Sequence, residues 1–447
     1  MQNKLLILCA LCFISVGFAQ EKNVSFSLNE AINYALENNY NAKTAVNNIK
    51  AAKEKKWETT TIGLPQISAS VDYQNWLKQQ VSLLPGELTG GAPGTFTPVA
   101  FGTKQTMNAT VTLNQVIFDG SYLVGLQSAK TYLKISEQAK EKTELTIKEA
   151  VINAYGNVLV ADKSIEILKN NMVTLKKNLS DTRKIYLSGF NEEEDVEQLQ
   201  ITYETVKSQL NKTERLRAIG IKMLNIVLGN TINVDLILTD SLESLITDVD
   251  FGLLYKAFDI ENHIDFKIAE NDRESKQLLM KLEKSRALPT LTAFVNYGYS
   301  GNAAEFNFLS SNQEWFNSSL LGVSLKIPIF SSFQRRSKTR QAKIELDNAD
   351  IKLQETTEQL NLNVASAKSD YQFSIEQYQT AKRNLNLAER IEKKQQVKFF
   401  EGVSTSFELA QAQNQLYTQQ QNYIQSMLDV VAKKATLENA LNIPLNK

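Results

Sequence analysis

The chain carries the same plan twice. Leu64-Pro65-Gln66-Ile67-Ser68-Ala69-Ser70-Val71-Asp72-Tyr73 returns 224 residues later as Leu288-Pro289-Thr290-Leu291-Thr292-Ala293-Phe294-Val295-Asn296-Tyr297. Ile117-Phe118 is echoed by Ile329-Phe330, Ala129-Lys130 by Ala342-Lys343, and Gly189 with Asp195 six residues on by Gly402 with Glu408. A duplicated unit limits the folds available, because both copies must bury their apolar faces in the same way. Within each copy, long stretches of helical period alternate with short stretches of period two.

The period-two stretches are amphipathic strands. Ile67, Ala69, Val71 and Tyr73 alternate with Ser68, Ser70, Asp72 and Gln74, and Ala109, Val111 and Leu113 alternate with Thr110, Thr112 and Asn114. The second copy repeats the pattern with Leu291, Ala293, Val295, Tyr297 and Tyr299, then Leu321, Val323, Leu325, Ile327 and Ile329. The Gly/Pro/Thr-rich stretch 84–101 between the first two reads as loop. Four strands with one greasy face cannot close a barrel alone and leave edges open. Three copies would bring twelve, an even number within the range of closed outer-membrane barrels.

The helical stretches are unusually long. No proline interrupts 121–187, which at roughly 1.5 Å per residue spans about 100 Å. Val151, Ala154, Val158, Ala161, Ile165, Leu168, Met172, Leu175, Leu179, Thr182 and Tyr186 keep a 3,4 spacing, as do Val196, Leu199, Tyr203, Val206, Leu210 and Thr213 on the return. This is an antiparallel coiled-coil hairpin turning at Ser188-Gly189-Phe190-Asn191, and a second one turns at Gly402. Seam positions held by Ala, Ser, Thr and Gln suit helices that pack on several neighbours.

The expected organisation is a signal peptide, 1–19, with Lys4 ahead of an apolar run, followed by a first repeat, 20–229. That repeat holds a helix from Leu28 to about Gly63, a β-hairpin over 64–118 and a coiled-coil hairpin over 120–228. A connecting segment follows at 230–250. The second repeat, 251–447, holds a helix from about Leu253 to Ala287, a β-hairpin over 288–330, a coiled-coil hairpin over 332–441 and a short C-terminal tail.

Chemistry is sparse. Cys9 and Cys12 both lie in the signal segment, so the mature chain has no thiol for a disulfide, metal site or nucleophile. The lone His263 reads as a surface or capping residue at a helix start rather than a metal ligand. No phosphate loop or nucleophile elbow is present, so no catalytic, cofactor or metal residue is assigned. Forty-nine basic and 49 acidic residues cancel, which gives no global field for nucleic acid.

The two Leu-Pro strand starts, the Ile117-Phe118-Asp119-Gly120 and Pro328-Ile329-Phe330 junctions and the two glycine-plus-six acids, in duplicated order, resemble the TolC family of outer-membrane efflux proteins. The resemblance covers 20–447. It implies a mainly helical TolC-like fold: a homotrimer whose coiled-coil hairpins form a periplasmic α-barrel and whose strands form one 12-stranded transmembrane β-barrel. The implied role is a passive exit duct, not an enzyme, working with a periplasmic adaptor and an inner-membrane pump of RND or ABC type. The alternatives are a periplasmic adaptor or a structural coiled-coil protein of the envelope.

Site residues follow from the same resemblance. Glu192, Glu193, Glu194 and Asp195 cap a helix in the ordinary way and, tripled, would ring the periplasmic gate together with Glu408 and Gln411. Asp195 matches an acid of the family's closing latch. The latch's aromatic hydroxyl and basic partner fall here on Phe399 and Ser404, which can form neither link, so a differently wired gate is expected, with Lys393, Lys394 or Lys398 as replacement cations. Gly189, Phe190, Gly402 and Val403, with Phe399 and Ser404, mark the hairpin tips where an adaptor would dock, with Leu187 and Phe407 adding apolar surface.

Overall fold

The computed structural model describes residues 24–247 and 251–443. The expected signal peptide, the end of the connecting segment and the last four residues lie outside the described residues. In chain order the elements are β1 (Val24–Phe26), α1 (Leu28–Asn38), α2 (Tyr40–Thr61), β2 (Gln66–Asn75), β3 (Val81–Pro85), β4 (Phe96–Ala100), β5 (Gln105–Asp119), α3 (Gly120–Leu187), α4 (Glu193–Leu228), β6 (Leu236–Leu238), α5 (Leu242–Ile246), α6 (Gly252–Tyr255), α7 (Ile264–Ser285), β7 (Thr290–Ala303), β8 (Trp315–Lys326), α8 (Gln334–Phe400) and α9 (Ser406–Ala440). The long outgoing helices α3 and α8 have 68 and 67 residues, and their returning partners 36 and 35.

These elements sort into two units that cut across the sequence repeats: 49–136 with 269–353, and the remaining residues. The first unit holds the sheet, in the order β2-β5-β7-β8 and antiparallel throughout. Its register lines up Ile67, Leu113, Val295 and Leu321 on one face and Ser68, Thr112 and Asn296 on the other, as the period-two pattern requires. A shift between Val116 and Phe118 marks a bulge in β5 just before α3. The 84–101 stretch, expected to be loop throughout, instead folds back as the β3/β4 hairpin. Pro85 and Pro98 fit because both strands of a two-stranded ribbon are edges. Tyr73, Phe306, Phe308 and Trp315 stack edge-on or tilted with centroids 5.6–6.2 Å apart.

The second unit is helical around one short parallel ribbon, β1 paired with β6, which the sequence pattern did not reveal. Ala31, Ala35, Val151, Tyr155, Val158, Leu224, Leu228 and Met427 are fully buried there. The Tyr155 hydroxyl donates to Phe26 O at 2.9 Å and lies 3.2 Å from the Asp240 carboxylate, which also accepts the Leu28 N–H at 2.7 Å. Burial pushes the Tyr155 phenol up to about 12, so it remains a donor. The first helix, expected to be continuous from Leu28, breaks at Asn39, whose amide donates to Val227 O at 2.6 Å. Its counterpart, expected from Leu253 to Ala287, is likewise interrupted, with no helix between Tyr255 and Ile264.

His263 is buried rather than on the surface, with 3 % of its area exposed. It does cap: its Nδ1 accepts the Asp265 N–H at 3.1 Å at the start of α7. Burial lowers its pKa, which fits a neutral ring with a free acceptor nitrogen.

Candidate functional site: two hairpin tips and an open sheet

Both tips are built by one local rule. At the end of α3 the Gly189 N–H donates to Tyr186 O and the Phe190 N–H to Ile185 O, and at the end of α8 the Gly402 N–H donates to Phe399 O and the Val403 N–H to Lys398 O. These are paired Schellman turns, which need a left-handed residue one past the helix. Gly189 (φ 80°) and Gly402 (φ 73°) occupy it, which is why glycine recurs in both copies.

Beyond the turn the two tips diverge. Thr405 caps α9 in a capping box: its hydroxyl accepts the Glu408 N–H at 3.3 Å while Glu408 Oε2 accepts the Thr405 N–H at 3.2 Å. Glu408 Oε2 also accepts from the Ser404 hydroxyl at 2.7 Å and from Gln395 at 3.3 Å. The hydrogen bonds from Ser404 and from the Thr405 backbone hold the Glu408 carboxyl below its ordinary pKa. The Glu408 carboxylate is thus committed to its own tip.

In the first tip Glu192 stands where Thr405 does, and it makes no side-chain cap. Asp195, the counterpart of Glu408, reaches across instead: its Oδ1 accepts the Ser406 N–H at 3.3 Å at the start of α9. Asp195 thus meets the other hairpin at a backbone donor, and among the described residues no ion pair joins it to Lys393, Lys394 or Lys398. Glu192, at the N-cap of α4, and Glu193 and Glu194 in its first turn are exposed, and Gln411 is exposed on α9.

Phe399 is not part of the exposed tip. It is only 5 % exposed and packs with Leu179, Leu199 and Leu409, one residue from each of the four helices. An apolar ring stands where the resemblance puts the family's aromatic hydroxyl, and it joins the hairpins by packing. Leu187, Phe190, Val403 and Phe407 are 67–83 % exposed and form an apolar surface over both turns.

Next to this clamp is a polar layer that sequence reading missed. Gln396 donates to Asn178 Oδ1 at 3.0 Å, and Thr182 and Gln413 are buried beside it in the hairpin interior. Burial raises the Glu392 carboxyl above its ordinary range and pushes the Tyr417 phenol up. The seam spacing did mark Thr182, but a buried polar layer and an apolar layer share the same period.

The sheet, in the other unit, is a second candidate site. Its apolar face is open: Ile67 is 72 % exposed, Val71 69 %, Leu321 74 % and Val323 68 %. Both outer strands, β2 and β8, have an unpaired edge. Strands of 10, 15, 14 and 12 residues are each long enough for a tilted crossing of a bilayer core. No helix among the described residues is long and apolar enough to cross a membrane.

A family model described as outer membrane efflux protein matches residues 31–230 and 259–442, both repeats in turn. The chain belongs to the outer membrane efflux protein family. It is 21 % identical over 337 residues to the outer membrane protein TolC of Vibrio cholerae, covering 75 % of this chain and 76 % of that one. It is 22 % identical over 324 residues to the toluene efflux pump outer membrane protein TtgC of Pseudomonas putida, covering 70 % of this chain and 64 % of TtgC. Among solved structures, the CmeC outer membrane channel of Campylobacter jejuni superposes with a TM-score of 0.71 at 16 % identity, covering 93 % of this chain and 85 % of CmeC. VceC of Vibrio cholerae does so with a TM-score of 0.71 at 16 % identity, covering 93 % and 95 %. The fold is that of TolC-like outer-membrane channels, and the family is one of efflux channels located in the outer membrane.

Proposed function

We propose that three copies of this chain assemble into one exit duct, their sheets closing into a 12-stranded barrel in the outer membrane and their hairpins lining a periplasmic conduit. The observation that carries this reading is the four-stranded sheet with a bare apolar face and two unpaired edges. An exposed edge next to an exposed greasy face is an aggregation hazard in water. Closure with two more copies removes every edge, and lipid then covers the face. On the helical unit, a groove of about 980 Å³ beside α4 and α9, lined by Leu168, Ile201, Thr205, Tyr417 and Gln421 among others, suits packing against a neighbouring copy.

In this reading the duct works with a periplasmic adaptor and an energised inner-membrane pump. The bare Leu187, Phe190, Val403 and Phe407 suit the end of an adaptor's own hairpin. Glu192, Glu193 and Glu194, tripled around one aperture, favour cations. Planar-bilayer recording tests the duct and its cation preference. Wild type should give discrete, cation-preferring channels, and Glu192→Gln/Glu193→Gln/Glu194→Gln should keep the channels and weaken the preference. Absence of any conductance from protein inserted in the bilayer would refute the duct.

A further inference from the structure

We propose that the junction between β8 and α8 is a binding site for anionic phospholipid headgroups of the periplasmic leaflet, a role that rests on the barrel reading above. The segment 327–333 juts out bare. Ile327, Ile329, Phe330 and Phe333 are 56, 89, 76 and 65 % exposed. Leu321, Val323 and Leu325 are exposed on β8 at every second position, and Ile327 and Ile329 continue that alternation past its end. The junction therefore prolongs the lipid-facing side of the sheet to its rim.

This segment is held in place rather than left loose. Ser332 (φ 47°) and Phe333 (φ 64°) are non-glycine residues in the left-handed region, a conformation that persists only where its surroundings impose it. The Arg335 guanidinium imposes it here, donating to Pro328 O at 2.9 Å, Ile329 O at 3.3 Å and Ser331 Oγ at 3.1 Å. The result sets Phe333 edge-on to Phe330 with centroids 5.9 Å apart, both facing solvent.

Immediately beyond lies positive charge. Arg336, Lys338, Arg340 and Lys343 are all exposed, and no acid occurs between Lys326 and Glu345. Arg336, Arg340 and Lys343 fall at i, i+4 and i+7, one stripe rising about 10 Å from the junction. That lies within a Debye length of a membrane surface. Elsewhere several helix lysines pair with acids a turn away, as in Lys55–Glu58, Lys163–Glu166 and Lys207–Glu204. Among the described residues, none of these four junction cations is in an ion pair. An apolar wedge beside unneutralised cations matches a phospholipid, acyl chain against the wedge and phosphate against the stripe.

The first repeat is an internal control. Asp119 ends β5 at the same rim as Lys326 ends β8, both opposite Thr290. Yet Leu123, Gly125 and Gln127 stand there in place of Arg336, Lys338 and Arg340, with only Lys130 matching Lys343, and Asp119 accepts the Ser121 N–H at 2.6 Å. Three of the four charges therefore belong to one junction of the two.

The test reconstitutes full-length protein into nanodiscs of mixed phosphatidylcholine and phosphatidylglycerol and counts, by native mass spectrometry, the lipids retained as the disc is stripped. Wild type is expected to retain phosphatidylglycerol about tenfold over phosphatidylcholine. Arg336→Gln/Arg340→Gln/Lys343→Gln should bring the ratio to within about twofold, while Lys130→Gln in the first repeat leaves it unchanged. If the triple variant does not assemble, wild type alone decides: raising salt from about 0.05 M to 0.5 M should abolish the preference. Inorganic phosphate at low millimolar concentration should not. A wild type without preference, a triple variant that keeps it, or competition by phosphate at constant ionic strength overturns the proposal. Failure to insert into nanodiscs at all would refute the barrel instead.

Discussion

The two hairpin tips start from the same Schellman turn and finish differently. In the second, a threonine cap and a glutamate three residues on satisfy one another, so the tip is self-contained. In the first, Glu192 replaces the threonine and the shorter Asp195 replaces the glutamate, and the aspartate is spent on the Ser406 N–H of the other tip. One tip closes on itself while its counterpart leans on it. Duplication thus provides the scaffold, and a few side chains turn one copy into a dependent of the other.

The comparison can be broken first at the ring beneath both tips. Phe399→Ala should cost about 3–5 kcal/mol in unfolding experiments, since it empties the space among Leu179, Leu199 and Leu409, and channels of this variant should open more often. Thr405→Ala should cost about 1 kcal/mol by removing the cap, with trypsin then cutting at the second tip before the first. Asp195→Ala should cost less, about 0.5–1 kcal/mol, because the bond it loses is half exposed. Its clearer readout is the frequency of opening, which should rise, whereas Glu192→Ala leaves the frequency unchanged.

The smallest effect is on pH dependence. The Glu408 pKa is lowered, so its contribution is full above the ordinary carboxylate value of about 4.3 and is lost as pH falls through the folded value. The Glu392 pKa is raised by burial, so its effect has the opposite sign: stability rises as pH falls through that raised value. Thermal unfolding between about pH 7 and pH 3 should therefore change shape in opposite directions for Glu408→Gln and Glu392→Gln.

What the sequence made legible follows from period. The strand faces, the long helices and both turns are written in every residue of their stretches, and Gly189 and Gly402 mark the left-handed positions. Less visible were features set by partners distant in sequence. The β1/β6 ribbon is three residues a side and rests on Tyr155. The β3/β4 hairpin hides in a Gly/Pro-rich stretch. The resemblance puts Phe399 among the docking-tip residues, and its burial shows only in its partners on the other three helices, Leu179, Leu199 and Leu409. The link from Asp195 to Ser406 spans 211 positions, and no local pattern encodes it.

Everything assigned to the sheet depends on how many chains share it. Native mass spectrometry of the detergent-extracted protein measures that number directly. Particles of three chains are expected, because four strands with bare edges need eight more to close. A stable single-chain particle in detergent, with β2 and β8 still unpaired, would contradict the barrel.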